Sequence, residues 1–273
     1  MTYAPKGGRF FAFELDGVGG SPRSARAYWT PERKRAANPV PMRPVLGVDG
    51  RLETANAAPA TDPQQADLGQ MPFAAGGKLF YTMDGVDYVA SGNIFMRNNL
   101  LLTAAHCIQD ETTGNLGENY AFERGYTGEL ASETLSFKTV ALKENWYLEK
   151  DNVWDYAIVI LNETSTVASP LRYTTDDVEG RTVTAFGYPS NYAGGEQMMF
   201  VNGSVTTRRD KWIMNGNKMG PGASGGAWVL EDGVTAIGLT SFGVTTAKGS
   251  VYAGSPKFDA EFDKLYQSVI TLS

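Results

Sequence analysis

Between residues 71 and 256 the chain is cut into short aliphatic and aromatic runs separated by turn-forming residues. They read "GGKLFYTMDGVDYVASGNIFMRNNLLLTAAHC", "SFKTVAL", "DYAIVIL", "RTVTAFGYP", "QMMFVNGSVTT", "GGAWVLEDGVTAIGLTSFGV" and "SVYAG". Runs of this length, rich in β-branched and aromatic residues, favour strands over helices. Asp84-Gly85 between two of them predicts a tight hairpin, because both residues tolerate the positive φ that a two-residue turn demands. Asn98-Asn99 is read as a second break. Many short strands hide their apolar faces by closing on themselves or on one another, so the expected class is all-β, a barrel or a sandwich.

The flanks differ. Residues 1 to 70 are rich in proline, glycine and alanine and hold no sustained period; they are read as an N-terminal extension, leader- or propeptide-like, that wraps over or leads into a domain. Within them "TPERKRAA" predicts a short helix, with Thr30 as cap, Pro31 at the first position and Glu32 in the first turn. "NETSTVASPLRYTTDD", residues 162 to 177, reads as a connection between two β units. At the end, Phe258, Phe262, Leu265, Tyr266 and Ile270 recur at helical steps and predict one apolar helix face. The expected division is 1–70 extension, 71–165 first β unit, 166–256 second β unit and 257–273 helix.

Charge is uneven. The net is −6, but residues 1 to 51 carry +5 and the remainder −11. A basic segment on an acidic body suggests a contact within the chain more than nucleic-acid binding. No apolar run approaches the roughly 20 residues that span a bilayer. The N-terminal stretch lacks the uninterrupted apolar core of a secretory signal. One cysteine excludes an internal disulfide, and one histidine with one cysteine cannot build the usual zinc site, so no metal or cofactor is expected.

That single histidine, His106, directly follows the run "NLLLT", where a strand ends and a side chain can face a cleft. The chain also supplies a nucleophile and an orienting carboxylate. Ser224 stands in "KMGPGASGGAWVL" among Gly220, Gly222, Gly225 and Gly226. Glycines there permit a tight turn whose N–H groups converge on one point, an oxyanion hole formed by the amides of Gly222 and Ser224. Asp155 precedes the apolar run Ala157 to Leu161. A charge so placed is costly without a partner, and an imidazole N–H would be one.

In the order His106, Asp155, Ser224, these motifs resemble those of the chymotrypsin-like (trypsin-like) serine peptidases: "TAAHC" is similar to the histidine motif, "WDYAIV" to the aspartate motif and "GASGG" to the serine motif. "LTSFGV" resembles the strand that pairs with substrate, and "SVYAG" the stretch behind the specificity pocket. "GYP" at 187–189 and the 69-residue interval between Asp155 and Ser224 are similar to the compact bacterial branch near the glutamyl (V8-like) endopeptidases. The resemblance implies two packed six-stranded antiparallel β-barrels, a Ser224–His106–Asp155 triad, and a substrate-binding set that includes Lys218, Thr240, Ser241 and Gly243.

Departures accompany it. Ala223 stands where many relatives carry an aspartate that binds a freed N-terminus. Ala90 stands where a cysteine would pair with Cys107, so Cys107 is expected to pack as a small apolar side chain. Thr240 replaces the pocket histidine of glutamyl endopeptidases, and Lys218 stands where an Arg/Lys-selecting aspartate would. The expectation is a serine endopeptidase acting on polypeptides as a monomer, without preference for Arg or Lys, binding neither nucleic acid nor membrane. Two other readings are a latent protease or delivered effector restrained by its extension, and an inactive binding homologue. The resemblance implies secretion, whereas the absent signal and disulfide point to the cytoplasm or another route.

Overall fold

Asp84 and Gly85 have φ of 48° and 77°, and Met83 pairs with Val86 across them, the two-residue hairpin that their side chains favour. Around that hairpin a computed structural model describes residues 9–15, 22–42, 59–128, 130–245 and 251–273. In chain order the elements are β1 (Phe10–Glu14), α1 (Pro22–Tyr28), α2 (Pro31–Ala36), β2 (Asn38–Pro39), β3 (Gln64–Gln65), β4 (Gly76–Met83), β5 (Val86–Phe95), β6 (Arg97–Thr103), β7 (Glu118–Arg124), β8 (Glu133–Lys143), α3 (Glu144–Glu149) and β9 (Ala157–Leu161). There follow β10 (Arg172–Tyr173), β11 (Thr182–Gly187), β12 (Met199–Arg208), β13 (Lys211–Asn215), β14 (Ala227–Leu230), β15 (Thr235–Leu239), β16 (Phe242–Thr245), β17 (Val251–Pro256) and α4 (Ala260–Val269).

Strands β4, β5, β6, β9, β8 and β7 pair antiparallel in that order, and β7 pairs back onto β4, so the first sheet closes into a six-stranded barrel. The second sheet runs β10-β15-β14-β11-β12-β13-β17-β16. Apart from β10, which pairs parallel, its outermost strands are β15 and β16, separated in the chain only by Thr240 and Ser241, so the antiparallel body starts and finishes on one stretch of chain. This is the expected two-barrel, all-β architecture. Leu79, Leu101, Phe122, Val140 and Ile158 are fully buried in the first unit, and Val183, Val201, Trp228 and Ile237 fill the second. Each such side chain contributes about 1.5–3 kcal/mol on burial.

The C-terminal helix forms as its spacing predicts. Asp259 caps α4, its Oδ1 accepting from the Glu261 and Phe262 amides at 2.9 and 3.0 Å, and Phe262, Leu265, Tyr266 and Val269 are buried. The helix in "TPERKRAA" also forms, as α2, with the Thr30 hydroxyl accepting from the Arg33 amide.

Three expectations need correction. Asn98-Asn99 does not break the chain: both lie inside β6, and the turn falls at Met96, whose φ is 58°. The extension is not without a strand, since "FFAFE" forms β1 along β8. The connection 162–177 contains β10, which pairs parallel with β15. Sequence reasoning also missed α1 and α3. Much of the N-terminal stretch judged against a secretory signal lies outside the described residues.

The described part of residues 22–42 is docked on the first barrel. Trp29 is buried against Phe80, and its Nε1 donates to the Asn119 carbonyl at 2.6 Å. Lys34 pairs with the buried Glu123, and Arg33 reaches Asp87 at 3.7 Å. Basic residues of this segment thus meet acidic residues of the body.

Candidate active site

Thr103 at the end of β6 pairs with Ala157 at the start of β9, so the residues just past one strand and just before the other are neighbours. His106 lies in the 3₁₀ turn Ala105–Cys107 beyond β6, and Asp155 lies two residues ahead of β9. Asp155 Oδ2 accepts from His106 Nδ1 at 2.8 Å and Oδ1 from the His106 amide at 2.9 Å. The Ser241 hydroxyl also donates to Oδ2. Three hydrogen bonds offset the burial of a carboxylate that has no solvent exposure.

The same contacts define the histidine. With Nδ1 carrying the proton donated to Asp155, Nε2 is left as the acceptor. Burial disfavours a charged imidazole, but the adjacent Asp155 carboxylate outweighs it and holds His106 well above the ordinary histidine value.

Ser224 is carried on the loop between β13 and β14. Gly222 and Gly225 adopt φ of 91° and 84°, a region other residues rarely enter. A Cβ on Gly225 would stand 2.2 Å from the Ser91 carbonyl oxygen and 2.3 Å from Thr103 Oγ1, so glycine is what lets the loop lie against β5 and the end of β6. Side chains of β5 hold it there. Ser91 Oγ donates to the Gly222 carbonyl at 2.9 Å and accepts from the Tyr188 amide. Asn93 Nδ2 donates to the Gly225 carbonyl at 2.8 Å, and the Ser91 amide to the Ser224 carbonyl at 2.8 Å. Ser224 Oγ and His106 Nε2 are both buried without a hydrogen-bond partner.

The residues expected to bind substrate are distributed unevenly. Ser241 sits on the Asp155 carboxylate. Thr240 is fully buried, its Oγ1 accepting from Trp228 Nε1 at 3.0 Å. Gly243 lies on β16 against Met42. Lys218 is half-exposed and pairs with Asp62. Cys107 is buried with no disulfide. Ser91 and Asn93 were missed, although two polar residues at alternate positions of an apolar strand were a signal. Among the described residues no group of three His, Cys, Asp or Glu side chains could hold a metal ion. A cavity of about 250 Å³ is lined by His106 together with Val40, Pro41, Met42, Asp110 and Glu111.

Against known families, a trypsin-like peptidase domain matches residues 90–239, more than half of the chain. The chain belongs to the trypsin-like peptidase family. Solved structures of similar fold include a thermostable serine protease, AL20, from an extremophilic microorganism. It is 24% identical with a TM-score of 0.67, over 74% of this chain and all of that one. The protease Anisep from Arthrobacter nicotinovorans is 22% identical with a TM-score of 0.65, over 76% and 98%. A Glu endopeptidase is 18% identical with a TM-score of 0.62, over 76% and 95%. A search of curated protein sequences returned no match. For a trypsin-like peptidase the substrate class is polypeptide.

Proposed function

We propose that this trypsin-like peptidase is a serine endopeptidase in which Ser224, His106 and Asp155 act as one unit. Ser224 Oγ attacks the scissile carbonyl carbon while its proton passes to His106 Nε2. The C–N bond then breaks, and the imidazolium returns that proton to the leaving amine. Water repeats the sequence on the acyl-enzyme and releases the acid. Asp155 orients the imidazole and stabilises its cation, and Ser241 positions Asp155. The Gly222 and Ser224 amides stabilise the oxyanion, each donor contributing roughly 3 kcal/mol at comparable sites.

The observation that carries this reading is the pairing of the two buried, unpartnered atoms with the Asp155 hydrogen-bond set. A buried polar atom left unsatisfied costs about 1–3 kcal/mol. An acceptor nitrogen and a donor hydroxyl both left in that condition suit a site that spends them on substrate. The reading divides the chain into the extension 1–70, catalytic units 71–165 and 166–256, and the terminal helix 257–273. It places the chain beside the bacterial glutamyl endopeptidases on "GYP" and the Asp155–Ser224 interval. Arg or Lys specificity is disfavoured by the cation at Lys218, and Thr240 has already committed its hydroxyl to Trp228.

Fluorophosphonate labelling read by mass spectrometry, with Ser224→Ala as control, tests the proposal. Adduct on Ser224 is expected. A chain with an accessible cleft and no adduct would make it an inactive homologue.

A further inference from the structure

Asn38 and Pro39 run parallel to Tyr88 and Val89 of β5, and the Val40 amide extends that ladder by donating to the Val89 carbonyl at 2.9 Å. The next polar group, the Val40 carbonyl, accepts from the Gly222 amide at 3.1 Å. That amide is one of the two donors assigned above to the oxyanion. Met42 then packs on β16, its Cε 2.5 Å from where a Cβ on Gly243 would stand. Ser224 beneath this stretch has 0% exposure and Val40 has 6%.

We propose that Asn38–Met42 is a built-in plug that threads the substrate cleft from β5 to β16, with the Val40 carbonyl in the place of a substrate's scissile carbonyl. The inference rests on the assignment of Ser224 as nucleophile and of Gly222 as oxyanion donor. Two features keep the plug from being cut. The bond that follows the Val40 carbonyl is to Pro41, whose ring nitrogen and fixed φ constrain the backbone on the leaving side. Its polarity is also reversed. Were the stretch that includes Gly243 to take the acyl side of a substrate, it would meet here Met42, which follows the carbonyl. The acyl side of Val40, Asn38 and Pro39, lies along β5 instead. A carbonyl in the hole therefore arrives with its leaving group on the wrong side.

Upstream contacts hold the plug in register. The buried Trp29, the Lys34–Glu123 pair and the Arg33–Asp87 pair fix α1 and α2 on the first barrel, so residues 38–42 emerge at the edge of β5 rather than searching for it. Latency arises from position: five residues deny substrate the donor, the strand and the space above Ser224.

The test uses the full chain and the double variant V40D/M42E. Both substitutions add carboxylates to a cavity lining that already holds Asp110 and Glu111, so like charge opposes the docked segment, and neither residue lies in a barrel strand. Two readouts are taken: the rate of Ser224 labelling by a fluorophosphonate, and hydrogen exchange of the Gly222 amide by NMR. In the unmodified chain slow labelling and a protected Gly222 amide are expected. In V40D/M42E labelling is expected at least about tenfold faster, since it scales with the open fraction, and the Gly222 amide is expected to lose its protection. Labelling of both chains at the same measurable rate, a Gly222 amide unprotected in the unmodified chain, or one equally protected in both would overturn the plug. Loss of protection in the variant with no labelling of either chain would leave the plug standing and sink the assignment of Ser224 as nucleophile.

Discussion

The first barrel brings a histidine and its carboxylate to the site, and the second brings Ser224 with the backbone amides around it. His106 and Asp155 stand at adjoining ends of β6 and β9 and are tied by side-chain hydrogen bonds. Ser224 rides on a glycine loop that presents amides beside its own hydroxyl, and that loop is held by β5 of the other barrel through Ser91 and Asn93. The debt also runs the other way, since Ser241 of the second barrel holds Asp155 of the first. Each barrel therefore supplies one kind of chemistry and stabilises the other's. If that exchange is what makes the site, substitutions should divide by the kind of group they remove, not by barrel.

The largest loss is expected at the nucleophile. With the plug displaced by V40D/M42E, Ser224→Ala should lower peptide hydrolysis by about 10⁶-fold, leaving the amides and binding to supply the remainder. Asp155→Asn should cost about 10⁴-fold, because the amide no longer holds the working tautomer. This variant also carries a pH signature. His106 must be neutral to accept a proton, and Asp155 raises its pKa, so activity should fall as pH drops through a midpoint above the ordinary value of about 6.5. In Asp155→Asn the carboxylate that outweighs burial is gone, and the midpoint should move down. Stability has the opposite sense. The His106–Asp155 contribution is complete below about pH 6.5 and is lost as pH rises through the raised folded-state value. A pH–rate profile and a thermal-denaturation series across the same range measure both.

Backbone groups come next. Gly222→Ala would force a Cβ to within 2.6 Å of the Tyr188 carbonyl oxygen at a φ of 91°. Strain of about 1–3 kcal/mol should reorient the amide, with a 10²–10³-fold loss of kcat as for removal of one oxyanion donor. Ser91→Ala sharpens the comparison, because it removes a first-barrel side chain that only positions second-barrel backbone. It leaves the Tyr188 amide and Gly222 carbonyl unsatisfied, so about 1–3 kcal/mol of stability should go. A fall in kcat near tenfold is expected with the His106 midpoint unmoved. A shifted midpoint would mean that Ser91 acts on the histidine rather than on the loop.

The strand-edge positions of His106, Asp155 and Ser224 could be read from the sequence because their signals are local. A lone histidine after "NLLLT", a charge ahead of "AIVIL" and a glycine cluster around Ser224 each mark a strand edge within a few residues. The Asp84-Gly85 turn and the apolar face of α4 were readable for the same reason. The cross-barrel struts were not. Ser91 and Asn93 act on groups more than 130 positions away, and nothing near "VASGN" announces that distance. β1 escaped because "FFAFE" lacks alternation and takes its partner from Lys143 to Thr139. The place of Val40 depends on anchors at Trp29 and Lys34 that no spacing rule connects to Gly222. Ser241 is expected at substrate from its stretch of sequence, and no local signal announces that its hydroxyl donates to Asp155.

Lys218 gives the smallest effect and the sharpest limit to the comparison. The resemblance puts it where a specificity residue would stand, yet its side chain is half-exposed and pairs with Asp62 of the extension, which holds its ammonium in the charged form. An exposed pair of this kind is screened by solvent and salt. Lys218→Ala should therefore leave the melting temperature unchanged and alter kcat/KM for neutral peptides by no more than about twofold. Substrates with an acidic residue before the scissile bond should be affected equally. If instead they alone lose tenfold or more, Lys218 turns from Asp62 into the cleft when the plug leaves. The second barrel would then contribute a charged side chain to recognition beside the hydroxyl and amides it brings to the chemical step, and substrate choice would fall to the barrel that carries Ser224.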